Sequence, residues 1–185
     1  FGRFVLARGL LLVSALSAPF LVLLARGHGF DGAGGLPVFL VAAGAASLLS
    51  SPLWGRFADG SSRRTMIFAG VLASAIALAA IGVHAGAGES RWGGWALVGL
   101  FFLLGVAHDG VRLGRKTYLV DLAGGNKRTD YVAVSNTVMG GVLLATGAIT
   151  GAVGTASVPA ALGLLAAMGL AGAWLCRGLP EVQGD

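Results

Sequence analysis

The stretch "SPLWGRFADGSSRRTM", residues 51–66, sets one Asp and three Arg between two long apolar runs. That density of charge stands out in a chain that is 56% hydrophobic and only 11% charged, with 32 Gly among its 185 residues. A soluble domain carries about 25% charged residues and about 7% Gly, so the composition excludes an ordinary water-soluble core. Apolar runs of roughly 17 residues or more recur along the chain, each long enough for a hydrocarbon layer of about 30 Å. They consist mostly of Leu, Ala, Val and Gly without the alternation of a barrel strand. The chain therefore reads as an all-α integral membrane protein.

Uncharged stretches and turn residues give six spans, over about residues 4–25, 36–57, 65–83, 93–122, 131–152 and 159–176, in a single bundle. Pro19 is a candidate kink in the first span. That opening run has the basic-then-apolar character of a signal peptide, but its apolar part is long and further spans follow, so a first membrane helix is the plainer reading. Between Tyr131 and Cys176 the chain carries no charge, too long a stretch for one span, and Gly151, Gly154 and Pro159 offer the break. Lys and Arg are distributed asymmetrically. Arg3, Arg8, Arg56, Arg63, Arg64, Arg112, Arg115, Lys116, Lys127, Arg128 and Arg177 fall on one side, and only Arg26 and Arg91 on the other. By the positive-inside bias, both termini and the charged loops are expected on the cytoplasmic side of an inner membrane. Topology thus accounts for the net charge of +5 without a nucleic-acid partner. The lone Cys176 has no internal partner for a disulfide.

Within residues 51–66, Gly55, Asp59, Arg63 and Arg64 follow the spacing G-x-x-x-D-x-x-x-R-R. A carboxylate at a membrane edge suits the N-terminus of a neighbouring helix, whose free N–H groups and dipole favour an anion. The two Arg suit that carboxylate or acidic lipid head groups. A positive-inside anchor with a turn would account for the Arg residues, but Asp59 weakens such an anchor. The stretch resembles motif A of the major facilitator superfamily, G-x-L-A-D-R-x-G-R-R, matching at Gly55, Ala58, Asp59, Arg63 and Arg64. It departs at Gly60, where a basic residue is usual, at Ser62, where Gly is usual, and at Phe57 in place of Leu. The resemblance implies a cytoplasmic latch that stabilises the outward-facing state.

A looser likeness lies in "GRKTYLVDLAGGNKRTDYVAVSN", where Tyr118, Asp121 and Arg128 match the aromatic, Asp and downstream Arg of the family's fourth-to-fifth or tenth-to-eleventh connection. Together the two motifs make the chain similar to one six-helix half of such a transporter, the C-terminal half by the character of its first span and short polar tail. The resemblance implies two three-helix repeats of inverted topology, although spans one to three and four to six share no convincing sequence similarity. It also implies a small-molecule substrate, contact with membrane lipid and a missing six-helix half of the same chain.

The fourth span carries unusual charge. At 100° per residue, His108, Asp109, Arg112, Arg115 and Lys116 share one helix face. Asp109 stands 14 residues beyond Trp95, about 21 Å along a helix, within the inner third of a bilayer where ionisable groups face a cavity or a partner. His108 and Asp109 are candidates for proton coupling or for lining a vestibule, and Arg112 for attracting an anion. In the plainer reading Asp109 and Arg112 neutralise each other while Arg115 and Lys116 reach the head groups. Ser135, Asn136 and Thr137 in the fifth span read as helix–helix hydrogen-bond partners. The glycines of that span, including the Gly147/Gly151 GxxxG, suit close helix packing, whether fixed or sliding.

The expectation is a secondary active transporter of a small solute, driven by a proton or ion gradient, with no enzyme activity, metal or cofactor. No P-loop occurs. One rival is a free-standing six-span protein that works as a dimer. Another is a membrane enzyme, since "ADGSSRR" resembles the D-G-x-x-A-R opening of CDP-alcohol phosphatidyltransferases. The acids that family needs downstream are missing from residues 65–88, and no G-x-S-x-G nucleophile motif occurs.

Overall fold

A computed structural model describes residues 2–31, 35–88, 90–123 and 128–182, with only the backbone of residues 123 and 128–130. The described secondary structure is entirely helical, in seven helices: α1 (Gly2–Leu10), α2 (Val13–Arg26), α3 (Gly35–Gly60), α4 (Ser62–Ala87), α5 (Arg91–Ala123), α6 (Arg128–Ala156) and α7 (Val158–Arg177). They form six helical segments long and apolar enough to cross a membrane, with α1 and α2 together making the first, as a multi-pass membrane protein requires. Helices are the natural solution here, because each satisfies its own backbone hydrogen bonds where water is absent.

The first span is not one straight helix. It tightens at Leu11 and Leu12, where Leu12 N–H bonds to Gly9 O at 3.2 Å, three residues back. Leu10 and Leu11 there press against Gly172 and Gly70, so the irregularity lies where the span meets α7 and α4. Pro19, the candidate kink, lies inside α2 without ending it. Its ring is exposed, and the bond it forgoes is the one the Ala15 carbonyl would have accepted.

The joint between α3 and α4 is a single residue. Ser61 is extended, and its Oγ accepts a hydrogen bond from Arg64 N–H at 3.1 Å, capping α4. Residues 58–64, read as a short loop, are thus nearly all helix. The α6–α7 joint repeats the device: Ser157 is extended and its Oγ accepts from Ala160 N–H at 3.2 Å. Pro159 occupies the first turn of α7, where no intrahelical donor is required. Gly151 and Gly154 stay within α6, so the break comes from Ser157 and Pro159 alone.

Helix α4 packs against α5 and α7, and α5 also takes α2 and α3; α6 touches mainly α7 and α1. The most apolar windows of α3 and α6 are only 22% and 11% buried, against 50% for the first span and 44% for α4. Two spans therefore keep one broad face unpacked.

Because lipid gives little hydrophobic drive for helix association, close approach at small residues carries much of the packing. On α5, a methyl group at Gly105 would lie 2.8 Å from Ala46, at Gly110 2.5 Å from the Trp54 indole, and at Gly114 2.9 Å from Met66. Trp54 Nε1 also donates to Val106 O at 2.7 Å, an approach that the bare Gly110 permits. The fifth-span glycines behave differently. Gly140, Gly147 and Gly151 face open space, and only Gly154 meets a neighbour, the Phe20 ring. Gly110→Ala should therefore lower stability by about 1–3 kcal/mol through overpacking, while Gly147→Ala, with open space at its Cβ, should leave stability unchanged or raise it by up to about 1 kcal/mol. Unfolding of both variants in detergent micelles checks the contrast.

Candidate functional site

Among the described residues, three polar regions draw on α5. The first is a cavity of 370 Å³ lined by Ser14, Ser47, Phe101, Leu104, His108 and Asp109, among others. Asp109 accepts a hydrogen bond from Ser50 Oγ at 2.7 Å and pairs with Arg112 at 2.9 Å. His108 Nδ1 lies 3.2 Å from Ser14 Oγ. Both groups singled out in the fourth span thus border a cavity, and the Asp109–Arg112 pair forms as its three-residue spacing suggests. Ser50 and Ser14 carried no signal in the sequence, since an isolated Ser in an apolar helix usually bonds its own backbone.

The second region is a cavity of 320 Å³ between α1, α5 and α6, lined by Arg8, Arg112, Arg115, Lys116 and Asn136 together with apolar side chains. Arg8 donates to Ser135 Oγ and, at 2.8 Å, to Asn136 Oδ1, tying α1 to α6. Ser135 and Asn136 are therefore the interhelical partners that their residue types suggested. Among the described residues, Thr137 bonds the Ala133 carbonyl of its own helix and no other. Arg8 itself went unrecognised, because near the start of a span it reads as a topology signal.

The third region is the α3–α4 joint. The motif residues Gly55, Asp59, Arg63 and Arg64 lie within one short stretch, yet no hydrogen bond or ion pair joins their side chains. Gly55 borders a cavity of 400 Å³ shared with Trp54, Asp109, Arg112 and Lys116. Asp59 and Arg64 are exposed, and the Asp59 carboxylate has no partner among the described residues. Arg63 turns instead to the segment after α7, pairing with Glu181 at 3.2 Å and donating to Leu179 O at 2.9 Å. Ser61 Oγ donates to Glu181 as well, at 2.9 Å.

Tyr118 joins the same clamp. It is fully buried, stacks on Phe4 with ring centroids 5.1 Å apart, and donates its hydroxyl to Pro180 O at 3.0 Å. Asp121 is exposed three residues further on, and the side chain of Arg128 lies outside the described residues. Of the second motif, the structure therefore assigns a contact to Tyr118 alone. Among the described residues, no three His, Cys, Asp or Glu side chains gather as a metal-ligating group.

Comparison with protein-family models, curated proteins and solved structures finds no match for this chain.

The Asp109 network gives a direct test. Asp109 is 13% exposed and its Ser50 bond is inside the bundle, whereas Arg112 is 64% exposed. Hydrogen bonds to charged groups contribute about 1.5–3 kcal/mol, and exposed ion pairs about 0–1 kcal/mol. Ser50→Ala should therefore destabilise the bundle more than Arg112→Gln does, as read by thermal unfolding in the same detergent.

Proposed function

We propose that the chain is one six-helix half of a secondary active transporter resembling the major facilitator superfamily, moving a small solute by alternating access with proton or ion coupling. The observation that carries this reading is the pairing of two under-buried spans, α3 and α6, in equivalent positions of the two three-span groups. In such a half these faces would meet the opposing six-helix bundle, with membrane lipid around the remainder. The packing order supports the same repeat. The second span of each group packs on the first span of the other, α3 on α5 and α6 on α1. Each group also joins its second and third spans through one extended, capping Ser, Ser61 or Ser157.

The polar cavity fits the same picture. His108 and Asp109 line it with two serines, in the span that packs against α2 and α3. A carboxylate there, held by Ser50 and Arg112, is suited to exchanging a proton as its surroundings change. The unpartnered Asp59, at the edge of the open α3 face, is suited to a helix end of the opposing bundle. Arg63, fixed by Glu181, would hold the shape of the joint rather than neutralise Asp59. Both ends of the described chain would lie on the cytoplasmic side of an inner membrane.

A second reading has one observation in its favour. The open GxxxG of α6 also suits a second copy of the chain, which would make a dimer of six-span subunits.

Alternating access is testable without knowing the solute, because Cys176 is buried and the chain offers a quiet background for labelling. In vesicles of both orientations carrying the full-length protein, Ser47→Cys should react with a membrane-impermeant thiol reagent from either side. Adding Asp59→Asn should shift that reaction toward the cytoplasmic side several-fold. Labelling from one side only, unchanged by Asp59→Asn, would remove the support for a latch and for alternating access.

A further inference from the structure

The cavity between α1, α5 and α6 gathers more positive charge than the chain balances. Arg8, Arg112, Arg115 and Lys116 all line it. Among the described residues, Asp109 is the one carboxylate paired with any of them, and it pairs with Arg112. Arg8 spends two nitrogens on the neutral Ser135 and Asn136, and its Nε is buried without an acceptor. Arg115 is more exceptional: its Nε is likewise buried without an acceptor, and no carboxylate stands opposite it.

Such an arrangement is unfavourable when empty. Like charges repel more strongly at a membrane-embedded site than in water, and a buried guanidinium nitrogen without an acceptor forfeits its hydration. An anion in the cavity would offset the repulsion, since guanidinium groups form short, charge-assisted bonds to oxyanions. The charge favours a phosphate-type group over a carboxylate. Three lining cations, Arg8, Arg115 and Lys116, have no carboxylate among the described residues, and a phosphate-type group offers three or more oxygens and up to two negative charges where a carboxylate offers two oxygens and one charge. The volume of 320 Å³ also suits a small group.

We infer that the cavity bounded by Arg8, Arg115, Lys116 and Asn136 is a binding site for a phosphate-type oxyanion, carried either by a soluble phosphate compound or by an anionic lipid head group. The site requires only the folded bundle. It stands whether or not the chain is a transporter, and it is read at equilibrium with no gradient.

The experiment uses the purified full-length protein in nanodiscs. In phosphatidylcholine discs, binding of radiolabelled inorganic phosphate is measured by equilibrium dialysis. In parallel, the melting temperature is compared between phosphatidylcholine discs and discs containing phosphatidylglycerol. Arg8→Gln and Arg115→Gln remove site cations, Arg115→Lys keeps the charge without the planar fork, and Arg91→Gln alters an exposed Arg at the far end of α5. Saturable phosphate binding that weakens at least tenfold in Arg8→Gln and Arg115→Gln, but not in Arg91→Gln, supports the site with a soluble ligand. Thermal stabilisation by phosphatidylglycerol alone, lost in the same two variants and kept in Arg91→Gln, supports it with a head-group ligand. Arg115→Lys, the change least disturbing to folding, should show a partial loss in whichever assay responds. The inference is overturned if neither phosphate nor phosphatidylglycerol has an effect, if Arg115→Lys leaves the effect intact, or if Arg91→Gln removes it equally.

Discussion

The bundle depends on close backbone approach at small residues, at Gly70 of α4 and Gly169 of α7 as well as at Gly105, Gly110 and Gly114 of α5. In hydrocarbon there is little gain from hiding Leu against Leu rather than against lipid, so cohesion has to come from backbones that come close enough to touch. The glycines of α5 let Ala46, Trp54 and Met66 settle directly onto that helix, and α3 and α4 follow them. Once α3 is seated, Ser50 faces Asp109, and the ionic network of α5 acquires its internal anchor. The packing and the polar chemistry are consequences of the same contact.

Charge is arranged around that contact with economy. One carboxylate, Asp109, borders both the cavity lined by Ser14 and Ser47 and the one shared with Gly55, Arg112 and Lys116. It neutralises Arg112 and leaves Arg8, Arg115 and Lys116 without a carboxylate among the described residues. The end of the bundle holding these groups also holds the α3–α4 joint. There Arg63, Ser61 and Tyr118 fasten the segment after α7 through Glu181, Leu179 and Pro180. The chain is thus fastened at this end, while α3 and α6 each keep an open face.

Much of the architecture was legible in the chain. Six spans follow from the apolar runs, since the hydrocarbon thickness fixes the length a helix needs. The Asp109–Arg112 pair follows from its spacing, because residues three apart share a helix face. Where reading failed, the cause was distance in sequence. Arg8 meets Ser135 and Asn136 across more than a hundred residues, and Arg63 finds Glu181 rather than the nearby Asp59. The GxxxG of α6 illustrates the opposite error: its pattern permits close packing, yet among the described residues no helix takes up the offer at Gly147 or Gly151.

The sequence by itself determined that the chain is helical and how many spans it has, for these depend on local hydropathy and backbone hydrogen bonding. Only the tertiary structure decided which glycines carry the packing, which Ser anchors Asp109, which acid holds Arg63 and which cations share a cavity. Those choices depend on how helices rotate and lean against one another. That geometry is set by side-chain contacts between residues far apart in the chain, which local pattern does not encode.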